Sequence, residues 1–394
     1  MSQHNSISNL WRLTLREASL IIKDHSLLLT LLIAPLVYAF FYGSIYTYKE
    51  EEGVKLAVVD DDHSNLSRLI TQQLSNAQIT AVFRVPTVED AKEAMYRGQC
   101  QGFMYIEQGL EEKVKTLHQA DIVVALNAAR FLPSSDLLLG INQIAITLGA
   151  GVRLQYLQKS EGMNSGSSMQ EVMPVNLDYH PLYNSRSSYG AFLLPGLLAL
   201  ILQQTLLIGL SASVSGEKSK KRVYDWIQQS GNSISTALWG KGLLYIILFS
   251  CYAFFFMTVN YSILELSMRG NTMQLAIAFL LFIVTLIPMG QFIGSLFSSP
   301  LLNVQIMAFS TYPFFLVSGY TFPLHNIPVV LQGLAMLLPT TPFLKLYLSI
   351  VQAGGTLADN IPSVIHLIVL FFLYSLLALI RINRLRRTAL AVTV

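Results

Sequence analysis

LLNVQIMAFSTYPFFLVSGYTFPLHNIPVVLQGLAMLL, Leu301 to Leu338, is long and apolar enough for two membrane crossings, but its punctuation permits one. Pro313 lies in the first half, Ser318-Gly319, Pro323 and Pro328 break the middle, and only about a dozen apolar residues remain at the end. A helix needs roughly 20 to cross a 30 Å hydrocarbon core. One span followed by a short re-entrant or interfacial helix, bounded at 319–338, accounts for the stretch.

Five further segments reach spanning length: Leu27 to Tyr46, Ala191 to Val214, Leu238 to Val259, Leu275 to Phe297, and Val364 to Ile380. The whole chain is 53% hydrophobic and 12% charged, about half the charge of a soluble domain. Six crossings put Arg12, Arg16, Lys23, Lys218, Lys220, Lys221, Arg222, Lys241, Arg381, Arg384, Arg386 and Arg387 on one side, opposed there only by Glu17, Asp24, Glu217 and Asp225. The positive-inside bias makes that side cytoplasmic, with both termini on it, whereas a seventh crossing would expel the C-terminal arginines. The charged first two dozen residues do not read as a cleavable signal, so an uncleaved first span is expected to direct membrane delivery.

The insert from Lys49 to Arg186 then lies outside the cytoplasm, with 12 Lys/Arg against 17 Asp/Glu. Its pattern is α/β: strands at Val54–Val59, ITAVFR, GFMYI and DIVVAL, and helices at about Ser64–Leu74, after Thr87 with Asp90 in capping-box spacing, and at about Glu111–Leu117. A long helix over Ser134 to Gln158 and a polar joint, Ser160 to Gln170, lead back to the membrane. Cys100 and Cys251 fall in different phases and cannot pair.

Asp60, Asp61, Asp62 and His63 sit between a strand and a helix, where such side chains cap backbone N–H groups; capping is the reading over metal ligation. No P-loop, GxSxG or HExxH occurs, so neither nucleotide binding nor hydrolysis has motif support. Apart from Lys241, which closes a loop, the spans hold no Asp, Glu, Lys or Arg, which disfavours an ion-coupled carrier. Their buried amides, Gln203, Gln204, Gln291, Asn303 and Gln305, are candidates either for interhelical hydrogen bonds or for lining a substrate path. Gly290 and Gly294 form a GxxxG pair suited to close helix packing.

Ahead of the first span, Ile7, Leu10, Trp11, Ala18, Ile21 and Ile22 mark one face of an amphipathic helix, and Arg12, Arg16, Ser19 and Lys23 mark another. Between the second and third spans, SGEKSKKRVYDW (Ser215 to Trp226) opens a loop that closes at Trp239-Gly240-Lys241. Topogenic charge explains its lysines, but neither the leading Glu217 nor the apolar and aromatic residues that follow. A short cytoplasmic helix contacted by another protein explains all of them.

These residues resemble the membrane subunits of ABC exporters of the ABC-2 type, over nearly the whole chain. The resemblance is carried by the loop from Glu217-Lys218 to Gly240-Lys241, and by Ser295–Ser299, Gln305, Phe315, Ser318-Gly319, Phe322-Pro323, Ile327-Pro328 and Leu331. Pro339–Phe343 follows as P-x-T-P-F. In the insert it is carried by the LAVVD strand, by Ser64, Ser67 and Arg68, and by Arg97, Gly98, Gly102 and Phe103; Tyr183-Asn184 through Pro195-Gly196 is similar too. The loop departs from the family at KSKKRVYDWI, where many relatives carry Gly-Thr-Leu-Glu.

The resemblance implies an α-helical polytopic membrane protein of six spans with an inserted α/β extracytoplasmic domain: connecting helix 1–25, first span 26–48, external domain 49–187, and remaining spans 188–394. It implies a coupling loop, 215–241, that docks a separate ATPase through Glu217, Lys218, Lys221, Arg222, Tyr224, Asp225 and Trp226. Gln203, Gln204, Gln291, Asn303 and Gln305 would line the path, and Gly319, Phe322 and Pro323 would form a re-entrant gate. Expected partners are two ATPase subunits holding ATP and Mg, a second identical or related permease subunit, membrane lipids and a periplasmic adaptor, with no nucleic acid and no cofactor on this chain. The expected role is export of an amphipathic or apolar substrate across the bacterial inner membrane; the rival is an envelope scaffold whose external domain recruits other proteins.

Overall fold

Seven helices among the described residues are long and apolar enough to cross a bilayer. The structure, a computed structural model, describes residues 2–45, 52–116, 118–160, 189–264 and 268–393, with 162, 164, 166, 168, 172, 182 and 266. Tyr46, Lys49, Leu117, Tyr183-Asn184, Arg186 and most of the joint at Ser160–Gln170 lie outside them. The chain forms two compact units, one of residues 50–180 and one of residues 1–49 with 181–394. The second unit opens with α1 (Ser2–Lys23) and the first apolar helix α2 (His25–Ile45), separated by Asp24, whose carboxylate accepts the Ser26 and Leu27 N–H groups.

The α/β unit follows the predicted order: β1 (Val54–Asp60), α3 (Asn65–Asn76), β2 (Thr80–Arg84), α4 (Val88–Tyr96), β3 (Gly102–Ile106), α5 (Leu110–Lys115), β4 (Ile122–Leu126) and α6 (Phe131–Ser160). The sheet order is β2-β1-β3-β4, parallel except for the antiparallel β3–β4 pair. Thr87 caps α4: its Oγ1 accepts the Asp90 N–H at 3.1 Å, and the Asp90 carboxylate turns back to accept the Thr87 hydroxyl, at 2.7 Å, where a full capping box would accept the Thr87 N–H. Asp60 accepts from the His63 N–H and from Ser67 Oγ, and Asp62 accepts from the Gly109 and Glu111 N–H groups at the start of α5, so both aspartates cap. Partial desolvation pushes the Asp62 carboxyl up, but its hydrogen bonds from Ser64, Glu111, Gly109 and Leu110 outweigh that and hold it below the usual carboxylate range.

Helix α6 is the seventh apolar helix. Its Leu137 and Ile141, with Ile144 and Leu148, pack on Leu56, Val58, Met104 and Ile106 of the sheet. Beyond Leu148 about a dozen helical residues remain, and they include Arg153 and Lys159.

The other unit continues with α7 (Tyr189–Ser219), α8 (Val223–Gln229), α9 (Ile234–Ile263), α10 (Thr272–Leu296), α11 (Pro300–Val317), α12 (Val329–Met336), α13 (Thr340–Val351) and α14 (Ile361–Thr393). Helix α7 is apolar on every face and buried along most of its length, against α10, α11 and α2. A Cβ at Gly294 would strike the backbone carbonyl of Ser211, so α10 and α7 touch backbone to backbone where the GxxxG pair predicts close packing.

The stretch 319–338 is followed directly by a second helix. Helices α12 and α13 meet at 77°, and α13 buries Phe343, Tyr347 and Ile350, with Phe343 stacked on Phe282 of α10 at 3.9 Å. Pro339 ends one helix and permits the next, since the first turn leaves its N–H groups unbonded anyway. The carbonyls that α12 leaves open, at Met336 and Leu337, accept hydrogen bonds from His366 Nε2 and Tyr374 OH of α14, each at 2.8 Å. A helix end packed inside the protein requires such partners.

Candidate functional site

Helix α1 packs along α9, but on a different face from the one its apolar residues suggest. Leu13, Thr14, Glu17 and Ile21 are buried, while Trp11 and Ile22 are exposed. Gly240 makes the approach possible: a Cβ there would lie 2.7 Å from Leu13 Cβ. Thr14 Oγ1 donates to the Gly240 carbonyl at 2.9 Å, and Arg12 donates to Gln229 O at the end of α8.

Glu17 points inward because it has a partner there. Lys241 Nζ lies 2.5 Å from Glu17 Oε2, 2.7 Å from Ser213 Oγ and 3.5 Å from Glu217 Oε1. Arg16 Nη2 reaches both oxygens of Glu217, Oε1 at 2.8 Å and Oε2 at 3.0 Å, Tyr245 OH donates to Glu17 at 3.2 Å, and Ser213 also donates to Glu17. Lys241, Glu17 and Glu217 are only 1%, 2% and 4% exposed. Two carboxylates face two cations, and each carries several hydrogen bonds, as buried charge requires. Trp226 of α8, 1% exposed, lies under the Lys241 ammonium, 5.3 Å from Nζ to ring centroid. The cluster therefore ties α1, the end of α7, the loop helix α8 and the root of α9 together.

The seven residues expected to dock a partner divide accordingly. Glu217 and Trp226 are interior. Lys218 turns away from the loop tip and donates to Ser295 O and Leu296 O, the carbonyls that close α10. Lys221, Arg222 and Asp225 are exposed and Tyr224 is half-buried, so these four, with exposed Lys220, form the accessible surface. Lys221 holds φ +56°, a left-handed conformation usually given to glycine, where the chain turns from α7 into α8. Sequence reasoning missed Glu17, Ser213 and Tyr245 and did not value Lys241. A lysine inside an otherwise uncharged apolar run was the available signal.

Four of the five path candidates hold helices together. Gln203 accepts from Thr340, Gln204 donates to Met307 O and Ser310, Gln291 donates to Leu238 O at 2.7 Å, and Asn303 donates to Ser211 Oγ at 2.8 Å. Gln203 Nε2, Gln204 Oε1 and Asn303 Oδ1 are buried without a hydrogen-bond partner. Gln305 is exposed on the outer face of α11.

At the predicted gate, Gly319 has φ +84° and ends α11, Pro323 precedes a one-turn 3-10 helix, and Phe322 is exposed. Tyr320, which sequence reasoning passed over, is the residue that fixes this turn. Its ring stacks on Phe192 at 5.2 Å, and its hydroxyl donates to Phe192 O and accepts the Gly196 N–H at 3.2 Å.

The family model described as "ABC-2 family transporter protein" matches residues 25–380. Two Escherichia coli K12 proteins are similar over most of their length. "Probable multidrug ABC transporter permease YbhR" is 20% identical over 335 residues, 85% of this chain and 87% of the relative. "Probable multidrug ABC transporter permease YbhS" is 20% identical over 376 residues, 93% of this chain and 94% of the relative.

Proposed function

The chain belongs to the ABC-2 family of transporter proteins, and on that premise we propose that it is the permease subunit of an ATP-driven exporter, powered by a separate ATPase that docks on loop 215–241. It is a membrane transport protein by family. Two such subunits pair, two ATPase subunits hold ATP and Mg, and closure of the ATPases moves the loops between two states of the membrane unit. The relatives' names speak of multidrug transport, and an apolar, aromatic interior suits an amphipathic or apolar cargo leaving the cytoplasm or inner leaflet.

In this reading six helices cross the inner membrane with both termini cytoplasmic, and the α/β unit is extracytoplasmic, open to a periplasmic adaptor. Support comes from the charge bias and from α6, whose first half is occupied by the sheet.

One observation carries the coupling role: the buried Glu17–Lys241–Glu217–Arg16 cluster under an exposed basic loop. A push on Lys221, Arg222 and Asp225 is passed through Trp226 and these ion pairs to α1, α7 and α9 together, as a rigid body. Charge reversal at Lys221 and Arg222 should abolish co-purification of the ATPase and substrate-stimulated ATP turnover, with the chain still folded in the membrane. Unchanged recovery of the ATPase overturns the docking assignment.

A further inference from the structure

Along α13 every residue is buried or half-buried except Lys345, which is exposed. At spacings of three and four it shares one side of the helix with Thr341, Ser349 and Gln352, so the open side carries a polar stripe. Among the described residues Lys345 makes no hydrogen bond and no ion pair. Thr341, one turn before it and only 1% exposed, has a hydroxyl without a partner. Aromatic contacts fix the level of this lysine. Phe343 stacks on Phe282, and Tyr347 meets Phe279 edge-on at 5.5 Å, so Lys345 lies between the second and third turns of α10. That is about 10–15 Å along α10 from Thr272, at 1.5 Å per residue. Thr340, at the start of α13, bonds Gln203 near the middle of α7.

On the reading that α7 and α10 cross the bilayer, an unpartnered ammonium therefore sits within the hydrocarbon layer, where such a charge is costly and marks a path or a ligand. A lysine that merely snorkels has apolar residues on the deeper side of its face. Here Thr341 carries the polar stripe inward instead. A second copy of the chain brings no anion to this level: among the described residues, helices α2, α7, α9, α10, α11 and α14 hold a single carboxylate, Glu217, and Arg16 and Lys241 engage it at the other end of α7. We propose that Lys345 binds the anionic head of the exported molecule, so that the cargo is an amphiphile carrying a carboxylate or phosphate; this rests on the exporter reading above. An ammonium and a hydroxyl one turn apart suit such a head, with its several acceptor oxygens. A resident lipid keeps its headgroup at the helix ends, at least two turns away, which favours a passing substrate.

The test uses the full chain in phosphatidylcholine nanodiscs with dansylaminoundecanoic acid, a fluorescent carboxylate amphiphile, and its neutral methyl ester. The wild type should bind the acid about ten-fold more tightly than the ester, the scale of one charge-assisted hydrogen bond. Lys345→Gln should bind both equally, Lys345→Arg should keep the preference, and Lys92→Gln, an equal loss of charge in the α/β unit, should leave it intact. In the complex with its ATPase, the acid should raise ATP turnover in the wild type and not in Lys345→Gln. Equal binding of acid and ester by the wild type overturns the proposal, as does a preference that survives in Lys345→Gln. It is overturned also if phosphatidylglycerol in the nanodisc displaces the acid, which would make this a lipid headgroup site, or if the acid binds through Lys345 without changing turnover of the complex. Should no ATPase be recovered, the exporter reading fails, and the binding arm on the full chain decides whether Lys345 holds an anion.

Discussion

Lys241 Nζ lies 2.5 Å from Glu17 Oε2 although 224 residues separate them in sequence. Removing one member of a buried ion cluster leaves the others uncompensated, at about 3–5 kcal/mol. Lys241→Met should therefore lower the thermal midpoint sharply, and adding Glu17→Gln should restore part of the loss. A single variant as stable as wild type would show that the cluster does not hold α1 in place.

Lys221→Gly separates stability from docking. It relieves a left-handed residue, a gain of about 1 kcal/mol, while removing an exposed charge. The midpoint should rise and stimulated ATP turnover should fall. Unaltered turnover would remove Lys221 from the docking surface.

At the contact of α10 with α7, Gly294→Ala places a methyl group against the Ser211 carbonyl. Backbone cannot yield as a flexible side chain would, so the midpoint should drop by several degrees. Gly333→Ala, where nothing lies near the added atom, should be neutral in the same assay.

Tyr320→Phe keeps the ring stack but strips the hydroxyl from Phe192 O and Gly196 N. A buried group left without its hydrogen bond costs about 1–3 kcal/mol. The expected result is faster labelling of a cysteine placed at Phe322, read by maleimide modification. Equal labelling rates would mean that the hydroxyl does not hold the turn.

Acid should loosen the start of α5. Asp62 ionises at lower pH in the folded chain than in the unfolded one, so its contribution is complete above the ordinary carboxylate range and fades as pH falls through its lowered folded value. Protection of the Gly109 and Glu111 amides against hydrogen exchange, corrected for intrinsic rate, should decline over that window in wild type and already be low in Asp62→Ala.

Sequence was a good guide where the physics is local. The strands, the Thr87 cap and the Asp60 contacts with His63 and Ser67 depend on neighbours a few residues away, and all are found where expected. The long apolar helices were legible for a similar reason, since a bilayer imposes one length on any helix that crosses it. What stayed hidden depends on partners far along the chain. Glu17 looks like a solvated acid within a basic ridge until Lys241 is brought beside it. Trp226 looks like a docking aromatic until that ammonium covers its ring. Tyr320 is one tyrosine among 18 until Phe192 and Gly196 approach. Pro339 marks a break without saying that a second buried helix, α13, follows it.

The long reach of the Glu17 contact also sets a timetable for biogenesis. At about 5–20 residues per second, a ribosome needs about 10 to 45 seconds to add the 224 residues that separate Glu17 from Lys241. Throughout that interval the Glu17 carboxylate of the newborn first helix has no Lys241 ammonium to meet. Its docking is thus a late event in assembly, and a truncated nascent chain that stops before α9 would leave that helix unanchored.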